Sequence, residues 1–313
     1  MDHALSRRTA VCLFTLVVVA WGLNWLVTKA IVQSVVPLWA TAIRTAIATV
    51  ALFGLQLARG QLVLPRRGDL PVIIAIAGLH MVAFSTLVAF GLRFAPVGRS
   101  VVLGYTTPIW VAPGAWLFLG EAMTKRRLAG IGVSLAGLAV LFNPLAFDWH
   151  DRGAWAGDGL ILLAALCWAA NILYVRAHKW LSTPFQLIPW QTLLATTVLT
   201  TVAFAIDGPP QIRWNPALAS AFLYSGVCGS ALAYWAMAVV NRSLPAVTTS
   251  LGLLMTPVVG LLGSAVGLGE PVDVALVLAL ALILTGIALG TLPRRASGAA
   301  PCAAPSAASS VRP

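Results

Sequence analysis

Ten stretches of this chain are apolar for long enough to cross a lipid bilayer. They fall at about 11–30, 37–58, 70–92, 97–119, 127–143, 157–177, 185–206, 216–240, 245–268 and 272–292. A helix needs about 20 predominantly apolar residues to traverse the hydrocarbon core. In that solvent only helices and closed barrels satisfy their own backbone hydrogen bonds, and continuous apolar runs of this length read as helices. Composition agrees. The chain is 59% hydrophobic and 9% charged, with a mean hydropathy of +0.91, against roughly 25% charged residues in soluble domains. Such a chain cannot cover a water-facing surface. Pro37, Pro71, Pro96, Pro184, Pro216, Pro245 and Pro271 fall at or near the expected ends, where proline suits a first helical turn or a break.

The formal net charge of +11 does not imply a nucleic-acid partner, because the basic residues occupy short loops instead of one soluble face. The partner they imply is the bilayer. With the N-terminus inside, fourteen Lys and Arg residues face the cytoplasm, among them Arg7, Arg8, Arg66, Arg67, Arg126 and Arg242. Five fall outside (Lys29, Arg93, Arg99, Arg152 and Arg213) and Arg44 lies within a span. Positive charge favours the cytoplasmic side, so both termini are expected there, in the inner (plasma) membrane of a bacterium. Arg7 and Arg8 before an apolar run also resemble a signal peptide, but the run outlasts a signal's apolar core. Cys12, Cys167, Cys228 and Cys302 have no metal-ligand spacing, so neither a zinc site nor a disulfide framework is indicated.

The chain is written twice. "WGLNWLVTK" at 21–29 aligns with "WAANILYVR" at 168–176, which pairs Trp21 with Trp168, Asn24 with Asn171 and Lys29 with Arg176. At the same offset of 147, "TAIAT" at 45–49 faces "TLLAT" at 192–196. Further on the offset is 149: Arg93 and Pro96 match Arg242 and Pro245, "TP" at 107–108 matches "TP" at 256–257, and Gly137 matches Gly286. Five spans per half is an odd number, so the second half enters the membrane from the opposite side. Inverted repeats of this kind exchange conformations to give alternating access, with substrate held near the midplane between them. The expected architecture is all-α and integral to the membrane: ten transmembrane helices as two inverted five-helix repeats. Residues 1–10 form a cytoplasmic N-terminus, 11–143 the first repeat, 144–156 a periplasmic connector, 157–292 the second repeat and 293–313 a disordered cytoplasmic tail.

These motifs carry a resemblance. "WGLNWLVTK" in the first span, "PLWATAIRTAIATVAL" in the second and the "TPIW" and "GE" elements around the fourth resemble the EamA-type members of the drug/metabolite transporter superfamily. The likeness runs from about residue 11 to 291 as two tandem repeats. It implies ten helices around a central cavity lined mainly by spans 1, 3, 4, 6, 8 and 9. It also implies movement of small organic metabolites, often export of amino acids or toxic compounds, without naming the cargo.

Asn24 and Asn171 are the leading candidates for cargo contact. An unpaired amide in hydrocarbon is costly, so each faces protein or water; the other reading is interhelical hydrogen bonding. Trp21 and Trp168 lie one turn earlier on the same face and either wall a cavity or pack the core. Lys29 and Arg176, at span ends, read mainly as snorkelling cations. Arg44 is seven residues past Pro37, about 10 Å along its helix, and a mid-membrane cation is expensive enough that it faces the bundle. It is either a counter-charge for an anionic group or a structural donor, and its repeat mate is the neutral Gln191. His80 lies opposite Gly229 of the second repeat; a lone histidine in an apolar helix packs or titrates. Tyr105 and Tyr234 offer aromatic walls with polar edges. Pro108 and Pro257 are expected to break spans 4 and 9 at equivalent positions.

No Asp or Glu falls at mid-span, and no P-loop, HExxH or GxSxG pattern is present. An ATPase and a hydrolase are therefore not indicated, and no cofactor or metal is expected. An integral-membrane enzyme or a non-transporting sensor or scaffold are the rival classes. Short loops offer little for either. A secondary transporter for a small-molecule substrate is the expectation; oligomeric state is not encoded.

Overall fold

The computed structural model describes residues 7–32, 34–94, 103–142, 145, 150, 152–268 and 274–291. Expectations for the tail after 292, for Pro96, Arg99 and Pro271, for the second "GE" at 269–270, and for residues 144, 146–149 and 151 of the connector lie outside the described residues.

Every element among the described residues is helical. We number the α-helices in chain order. α1 is Arg7–Val32 and α2 is Pro37–Ala58. The third span is composite: α3, Leu70–Ala75, then a π-helical segment π1, Ile76–Phe84, then α4, Ser85–Phe94. α5 is Thr107–Leu119 and α6 is Lys125–Phe142. The second half repeats the order with α7, Arg152–Ala177, and α8, Pro184–Asp207. Its own composite span is α9, Pro216–Gly226, π2, Val227–Leu232, and α10, Ala233–Ser243. α11, Ala246–Gly252, α12, Met255–Leu268, and α13, Val274–Thr291, complete it.

Among the described residues five helical stretches are long and apolar enough to cross a membrane: Pro37–Ala58, Arg67–Val88, Trp155–Ala177, Pro184–Asp207 and Pro216–Ser243. Arg8–Asn24, Thr107–Leu119, Ala246–Gly260 and Val277–Gly290 are shorter apolar helices. The expected breaks in spans 4 and 9 are there. Turns at 105–106 and 253–254 stand two residues ahead of Pro108 and three ahead of Pro257, because proline fits the first turn of the helix that follows. Two boundaries differ from expectation. α1 begins at Arg7 and α7 at Arg152, four and five residues before the apolar runs. Hydropathy marks where a helix meets lipid, whereas arginine is a good helix former and lets the ladder continue into the flank.

The repeat-related helices α2 and α8 pack on one another, as do α6 and α13. α1 packs on α12, α9 and α10, while its repeat mate α7 packs on α5, π1 and α4. The two halves therefore make the same contacts with their roles exchanged. Thr49 and Thr196, residues at the 147 offset, share a hydroxyl–hydroxyl bond of 3.0 Å where α2 meets α8. Along α2 the hydroxyls of Thr41, Thr45 and Thr49 bond back to the carbonyls of Pro37, Thr41 and Thr45, which satisfies them inside an apolar helix. Between α6 and α13 small residues allow close approach. A Cβ at Gly130 would lie 2.6 Å from the Gly286 carbonyl oxygen, and one at Gly286 2.1 Å from Ser134 Oγ. Such small-residue contacts are how helices associate where lipid removes the hydrophobic drive between them. Outward-facing Val50, Leu57, Ile74, Leu117, Phe118 and Leu223 are exposed, as suits a surface solvated by acyl chains.

Candidate substrate site

Four of the expected site residues meet. Trp21 of α1, His80 of π1, Trp168 of α7 and Tyr234 of α10 form one ring cluster, joined by Phe84 of π1. The His80 and Trp168 centroids are 4.0 Å apart, His80 and Tyr234 4.9 Å, Trp21 and His80 5.7 Å, and Trp21 and Trp168 5.8 Å. Phe84 lies 6.0 Å from Trp168 and 6.3 Å from His80. Most of these pairs are edge-to-face or tilted, as ring quadrupoles prefer. Each half contributes: Trp21 and Trp168 are repeat mates, and π1 and π2 occupy repeat-equivalent positions. Extra-residue turns of this kind frequently mark functional sites in helices.

The asparagines flank this cluster with different surroundings. Asn24 is buried against Gly229, where a Cβ would come within 2.6 Å of its Oδ1. The Gly229 carbonyl also accepts the Trp21 indole N–H at 3.0 Å. Gly229 is the repeat mate of His80. One half thus places an imidazole against its Trp168, and the other leaves bare backbone against its Trp21 and Asn24. Asn24 Nδ2 donates to Thr28 Oγ1 at 3.3 Å, while its Oδ1 is buried without a hydrogen-bond partner. Asn171 is 2% exposed, and its Oδ1 likewise has none.

Arg44 is half-buried, and its Nε is enclosed without an acceptor. Its backbone carbonyl faces Gly226 of α9, where a Cβ would approach it to 3.0 Å. Gln191, considered from the sequence only as the neutral mate of Arg44, is fully buried with both amide atoms unpartnered. Phe84 was not a sequence candidate either. Its one signal is its spacing four residues after His80, which puts both on one helical face. Tyr105 sits in the turn ahead of α5, partly buried against the apolar core that also holds Trp168 and Phe84.

Arg176 has a protein partner at its span end. It donates to the Arg242 carbonyl at 2.6 Å, which ties the end of α7 to the end of α10. The side chain of Lys29 lies outside the described residues. Two shallow grooves lie elsewhere on the molecule. One of about 290 Å³ is lined by Ile109, Ala112, Pro113, Trp116, Met123, Leu128 and Ile131. Another of about 490 Å³ is lined by Val27, Ala30, Ser220, Ala221 and Tyr224. In the ring cluster His80, Trp168 and Tyr234 are buried, and Trp21 and Phe84 partly so. Among the described residues no group of three or more His, Cys, Asp or Glu is placed to hold a metal.

A duplicated bundle of apolar helices with an aromatic and amide seam buried where its halves meet is a multi-pass membrane protein. The chain belongs to the EamA-like transporter family, whose sequence pattern matches residues 8–143 and again 155–292. It is 29% identical over 300 residues to the uncharacterized inner membrane transporter YedA of Escherichia coli strain K12, with 94% of each chain covered. It is 27% identical to a probable amino-acid metabolite efflux pump of Salmonella typhimurium, over 90% of this chain and 94% of the relative. A crystal structure superposes with a TM-score of 0.77 at 20% identity, covering 91% of this chain and 98% of its own; this likeness concerns the fold. Family membership makes the chain a membrane-embedded transporter of a small molecule.

Proposed function

We propose that the protein exports small organic metabolites with an amino-acid-like head group across a bacterial inner membrane by alternating access. It does so as ten spans in two inverted repeats, 11–143 and 157–292, with both termini in the cytoplasm. The observation that carries this reading is a set of enclosed polar atoms left without partners on helices of both halves. Asn24 Oδ1, Asn171 Oδ1, Arg44 Nε and both amide atoms of Gln191 lack partners, and a buried polar group left unpaired costs roughly 2–7 kcal/mol. A cargo that supplied those partners would recover that cost while bound.

The seam's chemistry selects the cargo. Its charged member is the Arg44 guanidinium, suited to a carboxylate. The acid in α7, Asp158, lies ten residues from Trp168, about 15 Å along the helix. A cationic drug would meet repulsion with no compensating acid, whereas a zwitterion would place its carboxylate toward Arg44 and its ammonium toward the amide oxygens. The rings would hold an apolar side chain. The efflux pump named for the Salmonella relative points to the same class. Trp21, Trp168, His80 and Tyr234 would contact cargo once the packed cluster parts, and Tyr105 would border it.

The test is comparative metabolite profiling of the medium from cells expressing wild type, the Asn24→Ala/Asn171→Ala double variant or empty vector, at matched membrane levels. The expected result is one or more amino-acid-like compounds enriched outside with wild type and at vector level with the double variant. Equal export by wild type and double variant would reduce the asparagines to interhelical bonds.

A further inference from the structure

Two carboxylates of the first half hold segments of the second half at one end of the bundle. Asp69 closes the short 3₁₀ turn Arg67–Asp69 ahead of α3 and is fully buried. Its Oδ1 accepts the backbone N–H groups of Leu181 and Ser182, each at 3.2 Å, and its Oδ2 accepts the Ser182 hydroxyl at 2.6 Å. Leu181 and Ser182 belong to the connection between α7 and α8. At the same end Glu121, after α5, accepts the backbone N–H of Ala246, the first residue of α11, at 2.8 Å and pairs with Arg127 at 3.6 Å. The basic residues of these connections assign this end to the cytoplasm.

The opposite end is tied differently. There the Trp39 indole donates to the Gly208 carbonyl at 2.9 Å, a neutral bond between α2 and the connection after α8. Bonds to an ionised carboxylate are about twice as strong as neutral ones, and Asp69 makes three. The clasp also has a position that matters. α3 leads directly into π1, so Asp69 is joined by one continuous helical run to His80, about 16 Å away along it. Beneath the clasp Ile73, Ile76 and Ala77 pack with Val175, Leu187, Ile188 and Tyr234 in one apolar plug.

We infer that the Asp69 clasp is the latch of the cytoplasmic gate: while it is closed α3 and π1 stay against α7 and α8, and its release lets that end part to admit cargo to the ring cluster. The inference rests on the alternating-access reading, yet its test needs no cargo. A single reporter cysteine, Ala77→Cys, is placed under the clasp in a background with the four native cysteines replaced. Ala77 is 1% exposed. A second, separate reporter, Ala279→Cys, is fully buried in the α6–α13 pair and senses general loosening. Each is labelled with a membrane-impermeant maleimide in inside-out and in right-side-out vesicles.

Asp69→Ala is expected to raise labelling of residue 77 about tenfold in inside-out vesicles and to leave residue 279 unchanged. Ser182→Ala, which removes only the shortest bond, is expected to give a smaller rise of the same kind and serves if Asp69→Ala does not fold. The opposite perturbation closes the argument. A Cβ at Gly68 would lie 2.5 Å from Leu181 Cδ1. A short bifunctional methanethiosulfonate across Gly68→Cys and Leu181→Cys, added before the maleimide, therefore holds the clasp shut. It is expected to suppress labelling at 77, with recovery in dithiothreitol. Unchanged labelling at 77 in both Asp69→Ala and Ser182→Ala would overturn the inference. So would a parallel rise at 77 and 279, or a rise confined to right-side-out vesicles. Absence of metabolite export by the wild-type protein, with this labelling asymmetry intact, would sink the cargo reading and leave the latch standing.

Discussion

Gly229 is the residue on which the seam depends most directly, and its role follows from having no side chain. Its carbonyl receives Trp21, and its α-carbon is where Asn24 rests. Gly229→Ala should force the Asn24 amide away and cost about 1–3 kcal/mol, the usual range for overpacking. In detergent this should appear as a fall of several degrees in the midpoint of thermal aggregation. Gly78→Ala, where an added Cβ meets nothing within 4 Å, should leave the midpoint alone. Trp21→Phe keeps a ring in the cluster but removes the indole N–H, and should cost about 1 kcal/mol, the net worth of one hydrogen bond. The Trp and Asn pairs were readable because rare residues recurred at one offset. Gln191 was not, because its interest lies in having no partner. No one-dimensional pattern says whether a buried amide is satisfied.

Among the elements, the composite spans and the broken ones behave differently as signals. Pro108 and Pro257 announced their breaks, since proline constrains backbone locally. π1 and π2 gave no comparable notice. Their sequences, "IAGLHMVAF" and "VCGSAL", hold no proline; π1 packs against α7 and α8 and π2 against α2. Pro189 shows a third case. Lacking an N–H, it leaves the Phe185 carbonyl four residues earlier free, and Gln56 Nε2 of α2 donates to it. A local deficit thereby becomes a tie between repeat-related helices. The α6–α13 pair yields a prediction at this scale. Gly286→Leu would drive a side chain into Ser134 and the Gly130 carbonyl, and should sharply reduce the level of folded protein in the membrane fraction on fluorescence-detected size exclusion. Gly132→Leu, open on its side of α6, should accumulate normally.

At the scale of the whole molecule, the duplication organises the rest. Repeat mates pair across α2–α8 and α6–α13, and α1 and α7 exchange equivalent partners. The proposed five spans per half would place the C-terminus on the same side as the N-terminus. A phosphatase reporter fused after Pro313 should be inactive and a fluorescent protein there bright, and the reverse pattern would break the ten-span arrangement. At the end where α7 and α10 finish, Arg176, Arg242 and Trp180 lock together. Arg242 lies 5.3 Å over the Trp180 ring and its carbonyl receives Arg176.

The sequence alone determined that this chain lives in a bilayer, that it is written twice, and which rare residues the two copies share. Apolar length and repeat spacing are properties of the order of residues and need no coordinates. It singled out Trp21, His80, Trp168 and Tyr234 one by one, and only the fold brings their rings together. Tertiary structure alone decided which polar atoms are left without partners, that Gly229 gives way to Asn24 where His80 fills the other half, and that Asp69 reaches across to Leu181 and Ser182. The physical reason is that satisfaction of a buried group depends on what another helix presents within about 3 Å of it, and that is fixed by packing between segments more than a hundred residues apart.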